Sequence, residues 1–127
     1  MHTAGSLSEE EVMHVGLKWA GFDINRHVRF DTKNERFRSF YGSGPSAVAA
    51  VYSDLLKEDS KLKIKDLFMA LYLLKAYPTE CILAGTFKNC ETTVGTICWR
   101  TIKKIQSLKD KKVSVLLVLL LYAFIGF

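Results

Sequence analysis

The sequence of 127 residues has little of what marks a metal site or an exported protein. Its three cysteines, Cys81, Cys90 and Cys98, follow neither a C-x-x-C pair nor the spacing of a zinc finger. The start of the chain holds three consecutive glutamates and no apolar run, so no cleavable signal peptide is predicted. We therefore expect reduced thiols, no metal or other cofactor, and a nuclear or cytoplasmic protein.

Histidine is also scarce, and its three copies, His2, His14 and His27, are scattered through the N-terminal part of the chain. None lies near a cysteine in sequence, so nothing there predicts an activated thiol. We interpret Cys90 and Cys98 as small buried hydrophobic residues, or as substitutes for a helix cap, and not as nucleophiles.

Hydrophobic residues make up 49% of the chain and charged residues 24%, which is typical of a globular domain. The net charge of +5 is modest but unevenly distributed. Residues 1–60 contain 7 Lys/Arg against 9 Asp/Glu, whereas residues 61–127 contain 11 against 4. Such asymmetry favours a polyanionic partner, either nucleic acid or an anionic membrane surface, over the alternative of an ordinary solvated face.

Apolar residues recur at helical spacing over most of the chain and predict an all-α fold, a small helical bundle. A capping box at Ser8–Glu11 predicts a helix over 9–20, Pro45 begins one over 45–57, and a further one spans 64–76. Between the helix over 9–20 and the helix over 45–57, basic residues alternate with aromatic ones, which predicts an irregular or partly extended stretch over 21–44. The same interleaving also suits single-stranded nucleic acid.

Two closely linked helices follow Pro78. Thr79 is suited to cap a short helix ending near Phe87, and Lys88-Asn89-Cys90 predicts a tight turn with Asn89 in the left-handed conformation. A long helix then runs to about residue 109. Its predicted apolar stripe consists of Val94, Ile97, Cys98, Thr101, Ile105 and Leu108. Ile82, Leu83, Ala84 and Phe87 form the apolar side of the shorter helix. Two helices joined by three or four residues predict a helix-turn-helix, although a glycine is common where this turn has Lys88-Asn89.

The opposite face of the long helix suits the major groove of double-stranded DNA. Its predicted contact residues are Thr92, Thr93, Thr96, Arg100, Lys103 and Lys104. The threonines are suited to bases or phosphates, and the Arg and lysines to phosphates. The alternative is a plain helical bundle whose last helix is basic on its solvated side.

Three runs of the sequence resemble the N-terminal region of Harbinger-like transposase-derived proteins. They are FRSFYG at 37–42, LFMALYLLKAYPTE at 67–80 and IKKIQSLK at 102–109. The resemblance covers about residues 8–112, and it implies a DNA-binding region that precedes an RNase H-like domain with an Asp-Asp-Glu triad for two metal ions. The 15 residues after Lys112 contain no acidic residue. A two-metal mechanism needs converging carboxylates, so we expect this chain not to be an enzyme.

The tail from Val113 to Phe127 is uncharged and follows three lysines, which also suits a C-terminal membrane anchor. Fifteen helical residues cover about 22 Å, against a hydrocarbon core of about 30 Å. The sequence therefore divides into an N-terminal segment (1–44), a helix-turn-helix domain (45–112) and the apolar tail (113–127). DNA binding is the leading interpretation. A membrane-anchored helical protein and a non-functional transposon relic are the alternatives, and the oligomeric state stays open.

Overall fold

The computed structural model describes residues 7–25 and 27–111, with side chains as far as residue 107. All regular structure in these ranges is helical, which confirms the predicted all-α class. The helices there are α1 (Glu9–Ala20), α2 (Phe30–Tyr41), α3 (Pro45–Glu58), α4 (Ile64–Ala76), α5 (Glu80–Phe87) and α6 (Glu91–Lys111). The predicted apolar tail lies outside the described residues.

Local sequence signals place α1 as predicted. The Ser8 hydroxyl accepts a hydrogen bond of 3.2 Å from the Glu11 N–H, and a Glu11 carboxylate oxygen accepts one of 3.1 Å from the Ser8 N–H. These two bonds complete the capping box and satisfy amides that the first helical turn leaves unpaired. The helix ends at Gly21, whose left-handed conformation costs a glycine little.

The prediction for residues 21–44 was wrong in part, because α2 occupies half of the expected irregular stretch. Phe37, Phe40 and Tyr41 lie three and four residues apart, which is the spacing of one helical face. The interspersed basic residues obscured this periodicity. In addition, the N-cap residue Arg29 makes no side-chain capping hydrogen bond that would mark the start of the helix. Packing of the aromatic face against α1 and α4 supplies the stabilisation that the local sequence lacks.

A close contact joins α1, α2 and α4 at Gly16. A Cβ atom placed on Gly16 would overlap the ring of Phe37 and would lie 3.1 Å from Phe68 Cε1. The hydroxyl of Tyr41 donates a hydrogen bond of 2.6 Å to the carbonyl oxygen of Gly16. Burial raises the pKa of Tyr41 well above its ordinary value, so this hydroxyl keeps its proton. We call Gly16, Phe37, Tyr41 and Phe68 the Gly16 contact.

The central helix is α4, as its nearly continuous apolar sequence predicts. Five consecutive residues, 67–71, are fully buried. This helix packs against α2, α5 and α6. The hydrophobic core around it is continuous and includes side chains from all of the described helices.

Aromatic rings connect the N-terminal helices to α5. Phe40 stacks on Tyr72 with ring centroids 4.2 Å apart and an interplanar angle of 6°. The ring centroids of Tyr72 and Phe87, the last residue of α5, are 6.2 Å apart. The Trp19 ring of α1 lies 5.9 Å from the same Phe87 ring, again between centroids. Because Phe87 is held from two sides, this chain of rings positions the end of α5 and the turn that follows it.

Polar contacts hold the segment between α3 and α4 against α6. Lys104 Nζ donates a hydrogen bond to Asp59 Oδ2, and Asp59 Oδ1 accepts one of 3.1 Å from the Lys61 N–H. The hydroxyl of Tyr52 on α3 donates a bond of 3.1 Å to the Leu62 carbonyl oxygen. We call the first of these contacts the Asp59–Lys104 pair. It joins residues 45 positions apart in sequence, so it constrains how α6 lies on the bundle.

We expect Gly16→Ala to destabilise the protein. Overpacking of a filled core costs about 1–3 kcal/mol, which outweighs the gain of up to about 1 kcal/mol from the higher helix propensity of alanine. The free energy of unfolding, from urea titration followed by circular dichroism, measures the effect. Gly85→Ala is the matched control, because a Cβ at Gly85 meets no atom within 4 Å. Equal stability changes for both variants would contradict the close packing at Gly16.

The Asp59–Lys104 pair predicts a pH-dependent contribution to stability. The hydrogen bond from Lys104, and after it the Lys61 N–H, lower the pKa of Asp59. A lowered pKa means that ionised Asp59 stabilises the folded protein above about pH 4, and that this contribution is lost as the pH falls through the lowered pKa.

We therefore expect Asp59→Asn to be less stable than the parent at neutral pH, with a difference that shrinks on acidification below about pH 4. Urea unfolding at a series of pH values measures this difference. Asp31→Asn serves as the control, because Asp31 pairs with Arg29 at 3.9 Å on an exposed surface and such pairs contribute little. A difference that is the same at all pH values would contradict the role of the pair.

Candidate functional site

The connection between α5 and α6 is short and well defined by hydrogen bonds. The Thr79 hydroxyl caps α5 by accepting a bond of 3.2 Å from the Ile82 N–H, as predicted. At the other end, the N–H groups of Lys88 and Asn89 both point to the Ala84 carbonyl oxygen. This is a Schellman-type helix end, which requires one residue in the left-handed conformation. Three residues, 88–90, then separate α5 from α6.

The left-handed residue of this turn is Lys88, with φ 55° and ψ 46°, and the prediction that assigned it to Asn89 was wrong. The helix end decides the position, because the residue that directly follows the last helical residue must reverse the chain. The Asn89 side chain instead reaches α4, where its Nδ2 lies 3.3 Å from Met69 Sδ. This contact connects the turn to the central helix, α4.

The apolar side of α5 is narrower than predicted. Leu83, Ala84 and Phe87 are buried, whereas Ile82 is 53% exposed. Ile82 lies about 100° around the helix from Leu83, so it points away from the core. A short helix that packs on α4 and α6 buries one stripe only.

The buried stripe of α6 largely follows the prediction. Val94, Cys98, Thr101 and Ile105 are buried, and Ile102, which the prediction missed, is buried beside them. Ile97 is half-buried, and the Leu108 side chain lies outside the described part of the chain. α6 thus presents a clear inner side to α4 and α5, and its opposite side faces solvent.

The cysteines differ in environment. Cys98 is buried as predicted, and burial, with a smaller effect of the Asp66 charge, raises the pKa of its thiol to about 11. Cys90 is exposed, so the interpretation of a buried residue was wrong there. It directly precedes α6, and its carbonyl oxygen accepts hydrogen bonds from Thr93 and Val94. For Cys98, the raised pKa keeps the thiol protonated at neutral pH, and a protonated thiol is a poor nucleophile. Cys98 therefore contributes to packing.

Four of the predicted contact residues come together in one shallow groove between α5 and α6. They are Thr92, Thr96, Arg100 and Lys103. The groove has a volume of about 630 Å³, and we call it the α5–α6 groove. Thr93 is exposed but does not line this groove, and Lys104 is half-buried in its pair with Asp59.

Four residues that the sequence analysis did not assign to the site also line the groove. They are Glu80, Glu91, Gly95 and Trp99. A helical projection would have found Gly95 and Trp99, since they lie three or four residues from the predicted threonines on the same side of α6. Glu80 belongs to α5, and only the packing of the two helices brings it beside α6.

Charge is divided along the groove. Glu80 and Glu91 lie in the first turns of their helices, where the helix dipole stabilises negative charge. Arg100 and Lys103 lie further along α6, are exposed, and make no ion pair among the side chains that the structure describes. The groove therefore has an acidic end and a basic end, and the basic end is open to an anionic partner.

Comparison with known proteins finds no family model, no curated protein and no solved structure that matches this chain. Among residues 7–25 and 27–111, no helix is long and apolar enough to cross a bilayer. The same part of the chain contains no group of three or more His, Cys, Asp or Glu residues that is able to hold a metal ion.

We expect Lys88→Gly to stabilise the protein. A left-handed conformation costs a residue with a Cβ atom about 1–2 kcal/mol relative to glycine, and the greater freedom of glycine in the unfolded chain offsets part of this gain. The net increase in the free energy of unfolding should be about 1 kcal/mol, measured by urea titration. Lys88→Ala removes the same charge but keeps the Cβ, so it should not give this increase. A loss of stability in the glycine variant would contradict the assigned turn.

Proposed function

We propose that this protein binds double-stranded DNA through a helix-turn-helix made of α5 and α6. In this proposal, α6 is the recognition helix that enters the major groove. The observation that carries it is the exposed side of α6, where hydroxyl-bearing and basic side chains line one groove beside a short, tightly connected helix.

The geometry of the α5–α6 connection supports this proposal. α5 has eight residues, and the turn contains one left-handed residue followed by two more before α6 begins. Ala84, in the middle of α5, is small and buried, and α5 packs against α6. Helix-turn-helix motifs join two helices at a steep angle by a turn of this length.

The order of side chains along α6 also supports it. Recognition helices contact base edges with their N-terminal residues, while phosphates are contacted by basic and polar groups around them. Thr92 and Thr96 lie in the first half of α6, and Arg100 and Lys103 lie further along it. The hydroxyls and methyls are thereby suited to base edges, and the two cations to the phosphate backbone.

Lys104 is not part of the proposed phosphate contact. Its Nζ is already hydrogen-bonded to Asp59, and taking it to a phosphate would leave that carboxylate without its main partner. The Asp59–Lys104 pair instead joins α6 to the segment between α3 and α4. The proposed contacts are thus those of Thr92, Thr96, Arg100 and Lys103, with Thr93 at the border of the face.

The sequence resemblance extends the proposal to a transposase-derived origin and to a nuclear location. In the family that the chain resembles, this region binds DNA and a separate RNase H-like domain carries out strand cleavage and transfer, so the function proposed here is DNA binding. The alternative of a membrane anchor rests on residues 113–127, which lie outside the described residues.

We expect the double variant Arg100→Ala/Lys103→Ala to bind duplex DNA more weakly for every sequence alike. Each phosphate contact releases condensed counterions and contributes about −0.9 to the slope of log affinity against log salt concentration, so the slope should lose roughly 2 in magnitude. A salt titration of fluorescence anisotropy with the full chain and several labelled duplexes measures it.

Two further variants make this test specific. Lys18→Ala/Arg29→Ala also removes two exposed cations, but from helix α1 and the residue before α2, and should leave the slope near that of the parent. Thr92→Ala/Thr96→Ala keeps all charges, so it should preserve the slope and alter the ranking of duplexes. If the parent shows no salt-dependent binding, or if the two charge variants behave alike, α6 is not the DNA-binding element.

A further inference from the structure

The α5–α6 groove contains a large exposed aromatic side chain that packing does not explain. Trp99 is 58% exposed, although tryptophan is usually well buried. It lies on the solvated side of α6, next to Arg100 and three residues after Thr96, and all three line the groove. An indole exposed on a polar face provides an apolar contact surface for whatever occupies that face.

The groove also has an open position beside this indole. Gly95 precedes Trp99 by one helical turn, and a Cβ atom placed on it would meet only a Glu80 carboxylate oxygen at 3.5 Å, an ordinary contact. Glycine within a helix costs about 1 kcal/mol relative to alanine. The packing of the bundle does not require this glycine, whereas its missing side chain leaves room for a partner to approach the helix backbone next to Trp99.

The charges of the groove limit what fills this space. Glu80, whose carboxylate lies over Gly95, and Glu91 repel phosphate from the acidic half. Arg100 and Lys103 attract phosphate at the other end. A duplex that places its backbone on the basic end therefore brings base edges, and not phosphates, to Gly95 and Trp99.

We infer that Trp99 is a specificity-determining residue that packs against the 5-methyl group of a thymine, with Gly95 leaving space for that base. This inference rests on the proposed function. Thymine is the base whose edge in the major groove carries a methyl group, and apolar side chains recognise it there. The methyl and the indole face shield each other from water, which gives a preference for thymine at one position of the bound site.

Replacement of thymine by deoxyuridine tests this contact, since it removes the methyl group and leaves base pairing intact. A duplex is first selected from a randomised library with the full chain, and its thymines are then replaced one at a time. Burial of one methyl group is worth a free energy that corresponds to about a fourfold change in affinity. We expect one position to lose about fourfold, measured by fluorescence anisotropy.

The variant Trp99→Ala should bind the selected duplex more weakly and should no longer distinguish thymine from deoxyuridine at that position. Phe30→Ala serves as the matched control, because Phe30 is also a largely exposed aromatic residue, at 55%, but lies at the start of α2 and does not line the α5–α6 groove. It should keep the full sensitivity to the methyl group. Sensitivity retained in Trp99→Ala, or lost in Phe30→Ala, would overturn the assignment to Trp99.

A pair of glycine variants tests the open position independently of Trp99. Gly85 and Gly95 both lie inside helices with room for a Cβ atom, but only Gly95 lines the groove. Gly85→Ala and Gly95→Ala should both keep or raise the urea midpoint of unfolding. Only Gly95→Ala should lose affinity for the thymine duplex, and its sensitivity to deoxyuridine should diminish.

The outcomes separate this inference from the proposed function. Salt-dependent duplex binding with no thymine position sensitive to methyl removal overturns the role of Trp99 and leaves DNA binding intact. Tighter binding to the single strand than to the duplex, with the loss of Trp99 weakening it, means that the indole stacks on an unpaired base and also overturns the inference. Absence of salt-dependent binding to either form removes the proposed function and the inference together.

Discussion

The packing of Phe37 and Tyr41 against Gly16 is the constraint on which the rest of the structure depends. Without a side chain at Gly16, α2 approaches α1 closely enough for the Tyr41 hydroxyl to reach the Gly16 carbonyl oxygen. Phe68 closes the same contact from α4. Full burial of a phenylalanine contributes about 1.5–3 kcal/mol. Because the residues of this contact belong to α1, α2 and α4, their burial holds these three helices together.

The candidate site is coupled to that core by contacts of two kinds. The rings of Phe40, Tyr72 and Phe87 carry apolar packing from α2 to the end of α5. The Asp59–Lys104 pair joins α6 to the segment between α3 and α4 and removes one cation from the proposed DNA face. The rigid elements therefore hold a groove whose exposed side chains are not themselves needed for packing, which is the arrangement that a binding surface requires.

The sequence predicts most helices because their ends carry local chemical signals. Ser8, Pro45 and Thr79 mark three helix starts by capping or by a favourable first-turn residue, and Tyr77-Pro78 marks an end. Helix α2 escaped prediction since Arg29 provides no side-chain cap and the aromatic spacing was masked by basic residues. The left-handed residue Lys88 was not predicted, because Asn89 has the higher intrinsic preference for the left-handed conformation. The position of the helix end, and not this preference, determines which residue adopts it.

The amphipathic period of α6 determined, without any structure, which side of this helix faces solvent and therefore where Thr92, Thr96, Arg100 and Lys103 lie. Tertiary structure decided that Lys104 pairs with Asp59 and that Glu80 joins the groove from another helix. A helical period is a local property of consecutive residues. Partners across the bundle depend on how helices dock, and docking is set by the summed packing of side chains far apart in sequence.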